Sequence, residues 1–322
     1  MRRARTAGTI TTTEVAYFDR GRSFSRSHGV NQGKNVLNAA AGSRVAARTA
    51  AWEDVPRAMR ALTLTQIRDR YVERDRPLPA ELEATLRTDP RPGARAILEH
   101  VERRRRDNRA EGQRLRRMLE FERKLWAQKV VLVAGIDEAG MSPLAGPVAA
   151  AAVVLEPEWR AEGVNDSKQV SPERRVELAA LIKRDARAWA VAFVEPDEID
   201  RLNIYWAGIA AMQRAVEALG LVPEHLLIDA RKLRELSIEQ TRIVKGDERS
   251  LSIAAASILA KTARDARMVA YARDYPDYGF DRHKGYPVRE HVAVLREKGP
   301  CPIHRRSFGP VREALGLPVE PG

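Results

Sequence analysis

Val130-Val131-Leu132-Val133-Ala134-Gly135-Ile136-Asp137-Glu138 is an apolar run that ends in two carboxylates, and Gly140 and Pro143 follow at once. An apolar stretch of this length, closed by turn residues, reads as a buried strand with its acids at the C-terminal end. Working outward, Val148 to Leu155 reads as a second strand, Trp189 to Val194 as a third, His225 to Asp229 as a fourth and Thr241 to Val244 as a fifth. Asp197 to Leu219 carries apolar residues at 199, 202, 206, 209, 212, 216 and 219, the period of a helix. Asp247 to about Tyr271 reads as a long helix and Val288 to Lys298 as a shorter one. Strands and helices in that sequence give an α/β fold with a mixed five-stranded sheet flanked by helices.

The chain has 322 residues, 44% hydrophobic and 31% charged, enough for a sizeable core and too balanced for a wholly disordered chain. Its longest near-apolar stretch, Leu144 to Leu155, falls short of the roughly 20 residues a spanning helix needs, so no membrane contact is expected. Cys301 is the only cysteine, which excludes intrachain disulfides and cysteine zinc sites and points to the cytoplasm. The net charge of +12 is unevenly placed: +7 over residues 1–60, +6 over 61–130 and −1 over 131–322. A polyanion such as nucleic acid would explain that division, as would arginine usage alone.

Residues 1–58 lack apolar periodicity and read as disordered, or as a stretch upstream of a true start at Met59. Residues 59–128 read as a basic helical extension, 129–316 as the α/β domain and 317–322 as a tail. Within the extension, Thr65 to Val72 and Pro79-Ala80-Glu81-Leu82 carry helical signals, Asp89-Pro90-Arg91-Pro92-Gly93 is a breaker, and one long helix is expected from about Ala94 to Ala127. Its middle holds Arg103-Arg104-Arg105-Arg106, a candidate nucleic-acid contact or a solvated face.

Asp137, Glu138, Asp229 and Asp247 each end or follow an apolar element. Alone, any such acid is a turn former or a helix cap. Adjacent strands that finish in acids, however, bring them to one sheet edge, where two carboxylates 4 Å apart repel by roughly 4 kcal/mol at an effective dielectric of 20. Such a cluster holds protons or binds a cation, and hard oxygen donors favour Mg²⁺ or Mn²⁺ over zinc. Adjacent strand residues point to opposite faces, so Asp137 and Glu138 share a site only if the strand ends there, and Gly140 and Pro143 supply that ending. Asp265, 18 residues beyond Asp247 on the same expected helix, is read as structural.

Gly135-Ile136-Asp137-Glu138-Ala139-Gly140-Met141-Ser142-Pro143-Leu144-Ala145-Gly146-Pro147-Val148 resembles the opening motif of bacterial ribonuclease HII. The resemblance continues through Asn165-Asp166-Ser167-Lys168, Asp200-Arg201-Leu202-Asn203-Ile204, Leu227-Ile228-Asp229 and Lys245-Gly246-Asp247. It goes on through Ser252 to Lys261, Arg264-Asp265, His283-Lys284-Gly285-Tyr286-Pro287 and Pro302 to Phe308. Residues 63–128 resemble the helical N-terminal extension of some members, Phe121-Glu122 included. The resemblance implies an RNase H-like fold and hydrolysis of the RNA strand of RNA–DNA hybrids, leaving 5′-phosphate and 3′-hydroxyl ends. It further implies two divalent ions, Mn²⁺ or Mg²⁺, held by Asp137, Glu138, Asp229 and Asp247.

The family's Gly-Arg-Gly segment, whose backbone reads the 2′-hydroxyl, falls on Gly140-Met141-Ser142. Ser142 replaces a glycine that would suit positive φ or close approach, so excision of single ribonucleotides from DNA is expected to suffer before cleavage of long hybrids. The resemblance places Tyr286 on a sugar beside the junction, and Ser167, Lys168, Arg305 and Arg306 near phosphates. His283 and His304 receive no catalytic role. The partners implied are RNA–DNA hybrid and DNA containing ribonucleotides, bound by a monomer. Two rival readings are a hybrid-binding protein with impaired turnover and a DNA-directed nuclease of the same fold.

Overall fold

All five expected strands are present, in a mixed sheet. The computed structural model describes residues 62–318 and the backbone of Glu14–Tyr17. Strand β1 is Glu14–Tyr17, β2 Val133–Ala139, β3 Val148–Val154, β4 Ala188–Val194, β5 His225–Asp229 and β6 Glu239–Ile243. The order is β1-β4-β3-β2-β5-β6. The β2–β3, β3–β4 and β4–β1 pairs are antiparallel, whereas β5 runs parallel to both β2 and β6. Ile136 lies opposite Ile228, so the acidic end of β2 stands beside the acidic end of β5. Strand β2 starts at Val133 rather than Val130 because the Val131 and Leu132 amides donate to the Glu224 carboxylate, each at 2.8 Å, instead of joining the ladder.

Among the described residues one compact unit comprises 62–113 and another comprises 14–17 with 114–318. The first holds α1 (Leu64–Arg68), a π-helical turn at Asp69–Glu73, α2 (Ala80–Thr88) and most of α3 (Pro92–Met118). Ile67, Tyr71, Leu82, Leu86, Ile97 and Val101 form its core. The long helix expected to reach Ala127 breaks at Leu119, and α4 (Glu120–Ala127) follows. From Leu115 onward the side chains join the sheet's core, so the extension expected over 59–128 divides at Gln113. Apart from β1, the segment 1–58 lies outside the described residues, as do residues 319–322 of the expected tail.

The sheet is covered on both faces. Strand β3, Val-Ala-Ala-Ala-Ala-Val-Val, is wholly buried, and its small side chains let helices approach from each side. On one face pack α5 (Pro172–Asp185) and the long α9 (Leu251–Asp274), which follows α8 (Gly246–Arg249); α7 (Ile204–Glu217), which follows α6 (Pro196–Leu202), covers the other face. Gly135 makes the α9 contact possible, since a Cβ there would lie 2.1 Å from the Ser252 carbonyl carbon. The helix expected over 197–219 breaks at Asn203, whose φ is +65°, and the one expected from Asp247 breaks at Ser250, which caps α9. Helix α10 (Phe280–His283), α11 (Arg289–Lys298) and α12 (Gly309–Ala314) complete the chain. No helix among the described residues is long and apolar enough to cross a membrane.

Candidate active site

The four expected carboxylates are drawn together. Asp137 faces α9 and Glu138 faces α7, because neighbouring strand residues alternate. As expected, the strand ends just past both acids, at Ala139, where Gly140 follows. Both acids still meet the end of β5, since each feels the charge of Asp229. The Asp229 carboxylate accepts the Gly246 amide at 2.7 Å and so fixes the start of α8, which carries Asp247. Glu138 pairs with Arg231 at 3.2 Å.

Burial and crowding set the protonation of the cluster. Burial, then the Glu138 charge, pushes the Asp137 carboxyl well above its ordinary range; Asp229 and Asp247 add to this, and a hydrogen bond from Ser257 opposes it. Burial also raises Glu138, against the pull of Arg231. Asp247 is pushed up to about 6 by burial, then by Asp166 and Asp229. Lys168 answers that field: partial burial works against its ammonium, yet Asp166, Asp247, Asp137 and Asp229 together outweigh it and raise its pKa.

Asp166 is therefore a fifth carboxylate of the site, buried and close enough to Asp247 to raise its pKa. It lies in a loop without apolar periodicity, so only its place in the quoted motif signalled it. Among the described residues no three carboxylate, imidazole or thiol groups already close on one ion. The fit to a divalent cation rests instead on chemistry. All the donors are hard oxygens, and the buried Glu138 Oε2 has no hydrogen-bond partner. Asp265, by contrast, is bonded to Arg175 and Lys261, a structural role.

The loop after β2 is pinned from beneath by two buried arginines. Gly140 has φ +93°, and a Cβ there would strike the Arg264 side chain at 2.1 Å. Arg264 donates to the Pro147, Ala145 and Lys284 carbonyls. Arg305, expected at a phosphate, is fully buried and donates to the carbonyls of Gly146 at 2.9 Å, Met141 at 3.0 Å and Gly140 at 2.6 Å. That expectation is corrected: Arg305 cannot reach a phosphate and instead holds the loop. Arg306 is exposed, with its amide on Asp200. Ser142 is exposed and does not have positive φ. Met141 is half-buried over Gly208.

The remaining expected contacts surround the acids. Ser167 is buried and shares a 2.9 Å hydrogen bond with Ser257. Tyr286 is half-buried, with Lys261 Nζ 5.3 Å from its ring centre. Its carbonyl is held by a histidine relay whose tautomers follow from the donors. The Cys301 amide donates to His304 Nδ1 at 3.0 Å, leaving His304 Nε2–H to donate to His291 Nε2 at 3.0 Å and His291 Nδ1–H to donate to the Tyr286 carbonyl at 2.9 Å. Glu122, on α4, meets the start of α9. It is buried, and its Oε1 accepts Ser250 Oγ, the Ser252 amide and Ser252 Oγ at the α8–α9 joint. Burial raises its pKa against those bonds.

In the first unit, Arg104 donates to the Tyr71 and Arg76 carbonyls and pairs with Asp75, and Arg105 pairs with Glu83 at 2.6 Å. Only Arg103 and Arg106 of the run are exposed.

Comparison with known proteins identifies the family. The family model for ribonuclease HII matches residues 134–311, and that for the ribonuclease HII N-terminal domain matches residues 63–126. A ribonuclease HII from an Anaeromyxobacter species is 55% identical, covering 81% of this chain and 83% of that protein. The ribonuclease HII of Myxococcus xanthus is 56% identical over 80% of this chain and 88% of its own length. Among solved structures, ribonuclease H2 from Pyrococcus horikoshii superposes with a TM-score of 0.50 at 25% identity, covering 56% of this chain and 96% of that one.

Proposed function

Because the chain belongs to the ribonuclease HII family of hydrolases, we propose that it cuts the RNA strand of RNA–DNA hybrids through Asp137, Glu138, Asp229 and Asp247, with Mg²⁺ or Mn²⁺. Two such ions, when bound, lower the pKa of an attacking water and stabilise the departing 3′ oxygen, leaving 5′-phosphate and 3′-hydroxyl ends. The observation that carries this reading is the convergence of carboxylates, with the charges of Glu138, Asp229 and Asp247 adding to burial in raising the pKa of Asp137 and one Glu138 oxygen left unpartnered.

The chain's own residues prepare the reaction. Asp229 sets the start of α8 and hence the place of Asp247. Lys168, charged in the field of four carboxylates, offsets the repulsion that a phosphate would meet there. Arg305 holds the Gly140 and Met141 carbonyls, which fixes the peptide planes of the segment that faces the ribose. Ser142 needs no left-handed backbone, so replacing glycine there costs no strain. This supports removal of ribonucleotides embedded in DNA as a second activity. Tyr286 offers its ring to the neighbouring sugar.

Cleavage of uniform RNA–DNA hybrid with Mn²⁺ or Mg²⁺, beside a DNA duplex bearing one ribonucleotide and an all-DNA duplex, tests the proposal. Both ribonucleotide substrates should be cut and all-DNA spared, with Asp137→Asn losing turnover while still binding hybrid. Equal cutting of all-DNA duplex would overturn it.

A further inference from the structure

Tyr205 and Trp206 open helix α7 with 51% and 53% of their surfaces in solvent. Two adjacent open aromatic rings make an exposed apolar patch, the kind of surface that marks a binding contact. The pair is held in place rather than loose. Asn203 Oδ1 accepts both of their amides, at 3.0 and 3.1 Å, and the two rings meet edge to face at 5.2 Å.

Arg231 joins them to the acidic centre. Its guanidinium lies 5.1 Å from the centre of the Tyr205 ring, and one nitrogen donates to the Tyr205 carbonyl at 3.2 Å. Another pairs with Glu138 Oε1 at 3.2 Å. One side chain therefore spans from a carboxylate of the site to the aromatic surface.

We propose that Tyr205 and Trp206 form a ledge on which a base or sugar of the bound hybrid stacks, one step along from the cleaved linkage. The proposal rests on the hybrid-cutting reading above. The choice of nucleic acid follows from continuity. The ledge adjoins the cutting site through Arg231, whose guanidinium lies between Glu138, a carboxylate of that site, and the Tyr205 ring. Aromatic faces accept any base, which suits an enzyme that must cut without regard to sequence.

The test has a kinetic arm and a spectroscopic arm. Trp206→Ala should raise KM for uniform hybrid about tenfold, as expected for one lost stacking contact, with kcat and the thermal unfolding midpoint unchanged. Trp206→Phe should restore most of the loss. For the second arm, a short hybrid is titrated into the Asp137→Asn chain with and without Trp206→Phe, and acrylamide quenching is recorded. The Trp206 emission, taken as the difference between the two, should become shielded as hybrid binds.

An unchanged KM in a folded Trp206→Ala chain would overturn the ledge, and so would Trp206 emission that hybrid leaves fully quenchable. The latter result would mark the pair as a surface for something other than substrate. If the parent chain binds hybrid with Trp206 shielded yet cuts nothing, the ledge stands and the hydrolytic reading fails.

Discussion

Replacing Arg305 with methionine separates a loop-holding role from a phosphate-binding one. The three carbonyls it serves lie at 2.6, 2.9 and 3.0 Å. Hydrogen bonds from a charged group contribute about 1.5–3 kcal/mol each, so their loss sums to roughly 5–9 kcal/mol. Against this stands the cost of burying the guanidinium, which pushes its pKa down to about 9 and is worth up to ~5 kcal/mol. The balance predicts a net loss of up to about 4 kcal/mol, read from urea unfolding. Because Arg305 touches no phosphate, the slope of log Kd for hybrid against log salt should not move. Exposed Arg306 supplies the contrast: Arg306→Met should leave stability within ~0.5 kcal/mol and, through one lost phosphate contact, flatten the slope by about 0.9. An Arg305→Met chain with unchanged stability and a flattened slope would refute the assignment.

Three further outcomes follow from the same geometry. Arg103→Ala with Arg106→Ala should leave stability unchanged and, if the run meets nucleic acid, lower the salt slope of binding, whereas Arg104→Ala should cost about 1–2 kcal/mol through its lost carbonyl bonds; unfolding and anisotropy titrations read the two effects. Burial, then its histidine neighbours, lowers the His304 pKa to about 4, so the unfolded chain takes up that proton first. The stability it contributes is whole above pH 6.5 and is lost as pH falls toward 4. The raised Asp137 and Asp247 have the opposite sign, so the measurement is wild type against His304→Gln, and wild type should lose about 2 kcal/mol more between pH 7 and pH 5. Glu122→Ala should lower stability by about 2–3 kcal/mol by leaving Ser250 and Ser252 without their acceptor, with Glu122→Gln intermediate in the same unfolding assay.

Five of the six strands and the four principal acids were legible because each acid closes or follows an apolar run, a pattern that local sequence carries; strand β1, in a stretch read as disordered, was not. Breaks inside helices were not, since apolar spacing continues across Leu119, Asn203 and Ser250 while the backbone turns there. Helix α5 carries a capping residue and a first-turn proline in Ser171-Pro172-Glu173, but its buried apolar face is confined to Leu178, Ala179 and Ile182, too short a run for its period to stand out. Arg305 misled because its acceptors are main-chain carbonyls some 160 residues away. Two adjacent arginines in a loop look equally exposed until the fold buries one of them.

The parallel pairing at the middle of the sheet also constrains biosynthesis. Val133 pairs with His225, 92 positions later, an interval of roughly 5–20 s at ribosomal speeds of about 5–20 residues per second. Until β5 emerges, that edge of β2 has no hydrogen-bonding partner, and Val133-Ala134-Gly135-Ile136 would suit a neighbouring nascent chain. Asp137 and Glu138 sit at the end of that stretch, where like charges repel an identical strand in register. The two acids would thus guard the newborn polypeptide against aggregation before they ever meet a substrate.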